Sequence, residues 1–230
     1  MSNIDSYLEG SLNPRDALDT VKYNMNFAKE HPDYFYPDGL IIFEGGQGSG
    51  KSLSVSSYVQ NLIKEYPNVI LCSNMNFFGI PEDIQYVPYC GIQSLTDVEN
   101  GEKGVIYVID EIQLEFNSLE SKNIPAAVFT EISQQRKQRK HIIGTTQVFG
   151  RVAKPFREQV KYLVKCSNYL KLLQVNHLID AQKVVIDDND NAIADNVKTF
   201  FWFHSPALYN SYDTYEKIKR YRNEWKGGKS

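Results

Sequence analysis

Short apolar runs alternating with longer amphipathic stretches organise residues 40 to 165. Leu40-Ile41-Ile42-Phe43, Asn68 to Cys72, Val105-Ile106-Tyr107-Val108-Ile109, Ile142 to Thr146 and Tyr162-Leu163-Val164 are each too short and too uniformly apolar for a surface helix. Runs of this kind, bounded by glycine or polar residues, predict strands buried on both faces. Between them, Lys51 to Glu65 and Ala126 to Arg139 carry the 3.6-residue period of helices. Strand and helix in alternation predict βαβ units, hence an α/β fold with a mainly parallel sheet and helices on both faces.

The pattern changes at both ends. Asn13-Pro14 reads as an N-cap followed by proline at the first helical position, so a helix is expected over Asn13 to Lys29. From Tyr169 onward, Leu170 to Leu178, Lys183 to Ile186 and Lys198 to Phe203 read as strands joined by the turn-forming Asp187-Asp188-Asn189-Asp190-Asn191, which is hairpin chemistry. The expected organisation is an N-terminal lead-in (1–38), a core (39–168), a C-terminal antiparallel β extension of the same domain (169–211) and a basic tail (212–230) that begins as a helix.

At 230 residues the chain has room for one domain of ordinary size, and 42% hydrophobic with 23% charged residues is the balance of a soluble globular protein. No apolar run approaches the roughly 18 residues of a membrane span, and the polar start at Met1 to Asp5 has no signal-peptide core. A cytoplasmic protein with no transmembrane segment of its own is therefore expected. Cys72, Cys90 and Cys166 have no paired spacing and are expected as small buried hydrophobes. His31, His141, His177 and His204 are too scattered for a metal cluster. Net charge is only −3, but the window from Ile132 to Lys165 holds nine basic residues against Glu158 alone; it is +8, leaving −11 elsewhere. That asymmetry is expected to make a phosphate-facing surface.

Gly45-Gly46-Gln47-Gly48-Ser49-Gly50-Lys51-Ser52 fits G-x-x-x-x-G-K-[ST] and stands between a predicted buried strand and a predicted helix, the context that gives the motif meaning. The glycines let successive N–H groups converge on a phosphate at a helix N-terminus. Lys51 is then expected to reach the β/γ oxygens of ATP, and Ser52 to place its hydroxyl on Mg²⁺. Asp110 and Glu111, at the end of the Val105 run, are the expected partners. Asp110 would hold Mg²⁺ through water, and Glu111 would polarise the attacking water. Gln147, after Thr145-Thr146, is the candidate sensor of the γ-phosphate. The basic segment Gln134 to His141 has two readings, an arginine finger offered to a neighbouring subunit or a patch for nucleic acid phosphates.

Taken in order, the phosphate loop, Ser73-Asn74-Met75-Asn76, Asp110-Glu111, Arg136 to His141 and Thr145-Thr146-Gln147 resemble the zonular occludens toxin-like ATPases, which include the gene I type assembly proteins of filamentous phages and belong to the wider FtsK/HerA group. The likeness spans about residues 40 to 165. It implies a RecA-like (ASCE) sheet with an extra strand and a homo-oligomeric ring, hexamer or pentamer. It also implies an arginine finger in trans from Arg136 or Arg139, with ATP-driven movement of DNA or extrusion of a DNA-containing particle. Lys51, Ser52, Asp110, Glu111 and Gln147 keep the roles given above. Gene I type proteins continue into a membrane-spanning helix and an exported region that this chain is expected to do without. Its membrane function would then sit on a phage coat, assembly or membrane partner. The alternative is a genome-packaging ATPase like those of small membrane-containing viruses, in the host cytoplasm or on the virion. A metabolic nucleotide kinase suits the residues less well, because a hydrolytic carboxylate at Glu111 is at odds with a transferase that excludes water.

Overall fold

In the computed structural model, residues 12–117 and 126–213 are described, and they form two units, 12–34 and 35–213. The first is built on helix α1 (Pro14–Glu30). It starts where the sequence places it: the Asn13 side chain accepts the N–H of Arg15 at 3.1 Å, and Pro14 takes the position whose N–H has no partner in any case. Its end is closed by rings, with Phe27 stacked on His31 and edge-on to Tyr34.

In the second unit Phe35 is buried, gives its N–H to the Glu102 carbonyl and packs edge-on against Tyr66. The unit is organised by an eight-stranded sheet. In chain order its strands are β1 (Leu40–Glu44), β2 (Ile70–Ser73), β4 (Gln85–Pro88), β5 (Val105–Ile109), β6 (Lys140–Thr146), β7 (Val160–Tyr169), β8 (Leu173–Asp180) and β11 (Asn196–Phe203). They lie in the order β11-β8-β7-β1-β6-β5-β2-β4. From β7 to β4 every pair is parallel, and β8 and β11 extend the sheet by antiparallel pairing. Two short ribbons complete the strands of the described residues, β3 (Asn76–Phe77) with β12 (Tyr212–Asp213) and β9 (Val185–Ile186) with β10 (Ala192–Ile193).

The parallel strands β1, β2, β5 and β6 are buried at every position, as uniformly apolar runs must be when both faces are covered. Helix α2 (Lys51–Glu65) lays Val55, Val59 and Ile63 on one face, against Ile41, Phe43, Leu71, Ile106 and Ile143. The other face carries Leu40, Ile42, Tyr107 and Ile142 under helices α3 (Ser94–Asp97), α4 (Ala126–Gln134) and α5 (Lys154–Arg157), with Ala192 of the β9–β10 ribbon. Helix α6 (Pro206–Tyr209) follows β11.

Helix α4 is shorter than the expected Ala126 to Arg139. It ends at Gln134, and residues 135–139 turn into β6 with Arg139 left-handed at φ 58° and the Lys140 N–H returned to the Gln135 carbonyl. Of the expected tail helix only Tyr212 and Asp213 fall within the described residues, as strand β12; the remainder of that expectation lies outside them. Cys72 and Cys166 are buried as expected, but Cys90 is exposed. No described helix is long and apolar enough to cross a membrane.

Candidate functional site

Because β1, β5 and β6 run in parallel, their C-terminal ends meet at one edge of the sheet. The Gly45–Ser52 loop follows β1, Asp110-Glu111 follows β5, and Gln147 follows β6. Strand β6 stands between the other two, so the glycine loop and the acidic pair are two strand spacings apart, about 10 Å.

The loop reaches α2 through three left-handed or extended glycines: Gly45 at φ 156°, Gly48 at 79° and Gly50 at 84°. Gly50 caps α2 in a conformation that an L-residue adopts only with strain, and a Cβ there would collide with the Gln174 amide. The N–H groups of Gln47, Gly48 and Gly50 donate to no acceptor among the described residues, and the Ser49 Oγ is buried without a partner. A cradle of unpaired donors at a helix N-terminus is chemistry for an anion. Lys51, the first residue of α2, folds its ammonium back over this cradle and donates to the carbonyls of Gly45 at 2.7 Å and Gly46 at 3.1 Å.

On the acidic side one hydroxyl organises two carboxylates. The buried Thr145 Oγ1 donates to Asp110 Oδ1 and accepts the N–H of Glu111 at 2.9 Å. The Asn74 side chain clamps the Asp110 backbone, accepting its N–H at 2.8 Å and donating to its carbonyl at 3.2 Å. Glu111 is left-handed (φ 57°, ψ 48°), a strained conformation for a residue with a Cβ, and such strain concentrates at functional sites. Its carboxylate accepts Gln113 Nε2 at 2.5 Å and, more loosely, Gln147 Nε2 at 3.5 Å. A cleft of about 530 Å³ opens in front of it, lined by Gln113, Asn117, Gln147, Arg151 and Asp190.

Glu44, the last residue of β1, couples the loop strand to this cleft. Its buried carboxylate accepts the Phe149 N–H at 2.8 Å and lies 3.9 Å from the Lys165 ammonium. Burial raises its pKa, against the pull of the Phe149 N–H and of Lys165.

No family model matches the chain, and no curated protein matches it. Solved structures do. The N-terminal domain of zonular occludens toxin from Neisseria meningitidis superposes with a TM-score of 0.55 at 15% identity, over 76% of this chain and 98% of that one. The fold is that of the RecA-like P-loop ATPases. A second solved structure, described only as an ATPase domain, superposes at 0.51 with 12% identity, over 88% of this chain and 99% of its own. The genome packaging NTPase B204 of Sulfolobus turreted icosahedral virus 2 overlaps at 0.48 with 13% identity, covering 74% and 98%, too loosely to bear on function.

Within this P-loop ATPase fold the glycine loop, Lys51, Ser52, Asp110, Glu111 and Gln147 gather at one edge of the sheet. Arg136 and Arg139 do not join them. They sit in the turn before β6, at the opposite edge, about 20 Å along the strand from Gln147. There Arg139 donates to the Arg136 carbonyl at 2.9 Å.

The basic window does not form one continuous surface. Lys140 is buried in a 2.8 Å ion pair with Glu131, and Lys161 pairs with Asp38 at 3.0 Å. Lys165 turns inward to Glu44 and the Ala192 carbonyl, and Arg157 lies over the Phe149 ring. A linear count of charge could not register that these cations answer internal acceptors.

Sequence reasoning gave no role to Asn74, Thr145, Glu44, Gln113, Arg151 or Gln174. Thr145 and Asn74 had a signal, since each is a polar residue at the tip of a strand next to β5. The others come from distant segments with no motif to point at them.

Proposed function

We propose that this chain is an ATP-hydrolysing, ring-forming motor of a phage or mobile element that drives virion assembly, export or DNA translocation. One observation carries the reading: the anion cradle of Gly45–Ser52 and the Thr145-organised pair Asp110-Glu111 lie at the same sheet edge with Gln147 between them. In this reading the unpaired N–H groups of the loop take the phosphates of ATP, and Lys51 exchanges its two carbonyl partners for phosphate oxygens. Glu111 holds the attacking water and accepts its proton as the bond from water to the γ-phosphorus forms and the bond to ADP breaks. Gln147, already within reach of Glu111, orients that water.

Ser52 and Asp110 would hold Mg²⁺. Among the described residues no group of three metal-ligating side chains stands together, which suits an ion taking its remaining ligands from phosphate and water. Bound there, the ion would neutralise charge on the β/γ oxygens. The arginine that completes such a site in trans would be Arg136 or Arg139. Their place at the far edge makes them unavailable to their own loop but open to a neighbour.

The test is the ATPase rate per chain as a function of protein concentration, with and without single- and double-stranded DNA. A rate that rises with concentration and is stimulated by DNA is expected, together with loss of hydrolysis in Lys51→Ala. A rate indifferent to both concentration and DNA would sink the motor reading and leave a monomeric NTPase.

A further inference from the structure

Strand β7 runs with β1, so its last residues, Asn168 and Tyr169, arrive at the edge that carries the glycine loop. Strand β8 leaves from that edge and β11 returns to it, ending at Phe203. The segment His204–Tyr209 is thereby delivered to the same edge. Side chains tie it to the loop. Gln174, fully buried on β8, donates to the Ser49 carbonyl at 3.0 Å and covers Gly50. Its amide oxygen is 3.3 Å from His204 Nε2, which serves as the donor, while His204 Nδ1 accepts the Tyr209 hydroxyl. The same hydroxyl is 3.1 Å from the Lys171 carbonyl. Tyr209 is therefore anchored at its polar end, stands edge-on to His204 and remains 44% exposed.

A nucleotide in the cradle must point its terminal phosphate toward Glu111 and Gln147, on the β5–β6 side of β1. Its nucleoside then leaves on the opposite flank, over β7 and β8. The geometry points to Tyr209 as the platform on which the base of that nucleotide stacks, fixed at the correct edge by the chain His204–Gln174–Ser49. The ligand class is a purine nucleotide, whose wide π-face gains most from an aromatic ring already held in one orientation. This inference rests on the phosphate-binding reading of Gly45–Ser52.

The experiment compares two ligands that share phosphates and differ in the base. Binding of ADP and of inorganic triphosphate is measured by titration calorimetry on the wild-type chain, Tyr209→Ala, Tyr209→Phe and Lys51→Ala. Loss of stacking is expected to weaken ADP about tenfold in Tyr209→Ala. Triphosphate binding should be unchanged there, and Tyr209→Phe, which keeps the ring, should stay within about twofold of wild type. Equal weakening of both ligands in Tyr209→Ala would make the residue a mere support of the loop, and no change in ADP would remove it from the site; either result overturns the platform. Failure of the wild type to bind either ligand, or undiminished binding in Lys51→Ala, would instead overturn the phosphate-binding reading and the platform with it.

Discussion

The Thr145 hydroxyl has one proton to give and gives it to Asp110, while its lone pair takes the Glu111 N–H. Thr145→Val keeps the shape and removes both bonds, freeing two carboxylates to reorient. Turnover should fall by about 10- to 100-fold, the usual effect of losing a partner that orients an active group, with nucleotide affinity little changed. Equal loss of affinity and turnover would place the residue in binding instead. Glu111→Gln should keep ATP bound and lower turnover by about 10² to 10⁴, the range of general-base effects; near-normal single-turnover hydrolysis would reassign the base.

His141 offers a prediction about stability. It is buried on β6, bonded to the Tyr58 hydroxyl at 3.1 Å, and burial pulls its pKa down to about 4. The unfolded chain, with a histidine near the ordinary 6.5, takes up that proton first. The stability linked to this group is therefore complete above pH 6.5 and drains away as pH falls toward 4, by up to about 3 kcal/mol at about 1.4 kcal/mol per pH unit. Urea unfolding at pH 7 and pH 4.5 measures it: His141→Gln should show the shallower fall over that interval, and an equal fall in both chains would refute the linkage.

The elements that a one-dimensional pattern can express are the ones the sequence made legible. Val105–Ile109 and Lys51–Glu65 fall where they were expected because their apolar positions answer to a single environment along their whole length. Strand β7 runs from Val160 to Tyr169 instead of the expected three residues, since Lys161, Lys165 and Ser167 are only half-buried and interrupt the apolar run that betrays a strand. Strand β4 was not foreseen at all. Gln85–Pro88 is an exposed edge strand held by backbone pairing to β2, and backbone pairing leaves no trace in side-chain polarity.

The candidate site divides the same way: the contiguous loop and acidic pair are visible, whereas Gln174, 124 positions beyond Gly50, is placed only by the fold. Gly50→Ala tests that contact. It forces an L-residue to φ 84° and drives a Cβ into the Gln174 amide, so at least about 1 to 2 kcal/mol of stability should go. Nucleotide binding should go with it. A thermal melt and a titration together decide, and intact binding would mean that the loop tolerates displacement of Gln174.

At the scale of the whole molecule the open feature is the outer strand β11. Among the described residues no strand pairs with its outer edge, and Phe200, Phe201 and Phe203 are exposed on it, an arrangement that natural sheets seldom leave to solvent. If subunits assemble so that one chain's arginine serves another's loop, inactive Arg139→Ala and Lys51→Ala chains should regain activity when mixed, each supplying what the other lacks. Absence of recovery at every mixing ratio would remove Arg139 from the trans role.

The strand order also sets a schedule for synthesis. Strand β1 is flanked by β6 and β7, whose first residues are made 100 and 120 positions after Leu40. At about 5 to 20 residues per second, Leu40-Ile41-Ile42-Phe43 therefore leaves the ribosome and waits about 5 to 20 seconds before its first neighbour exists. For that interval the most apolar strand of the sheet must be kept from other chains by something outside the native fold. Translation speed between codons 45 and 165 is thus expected to govern the yield of active protein more strongly than speed anywhere else in the message.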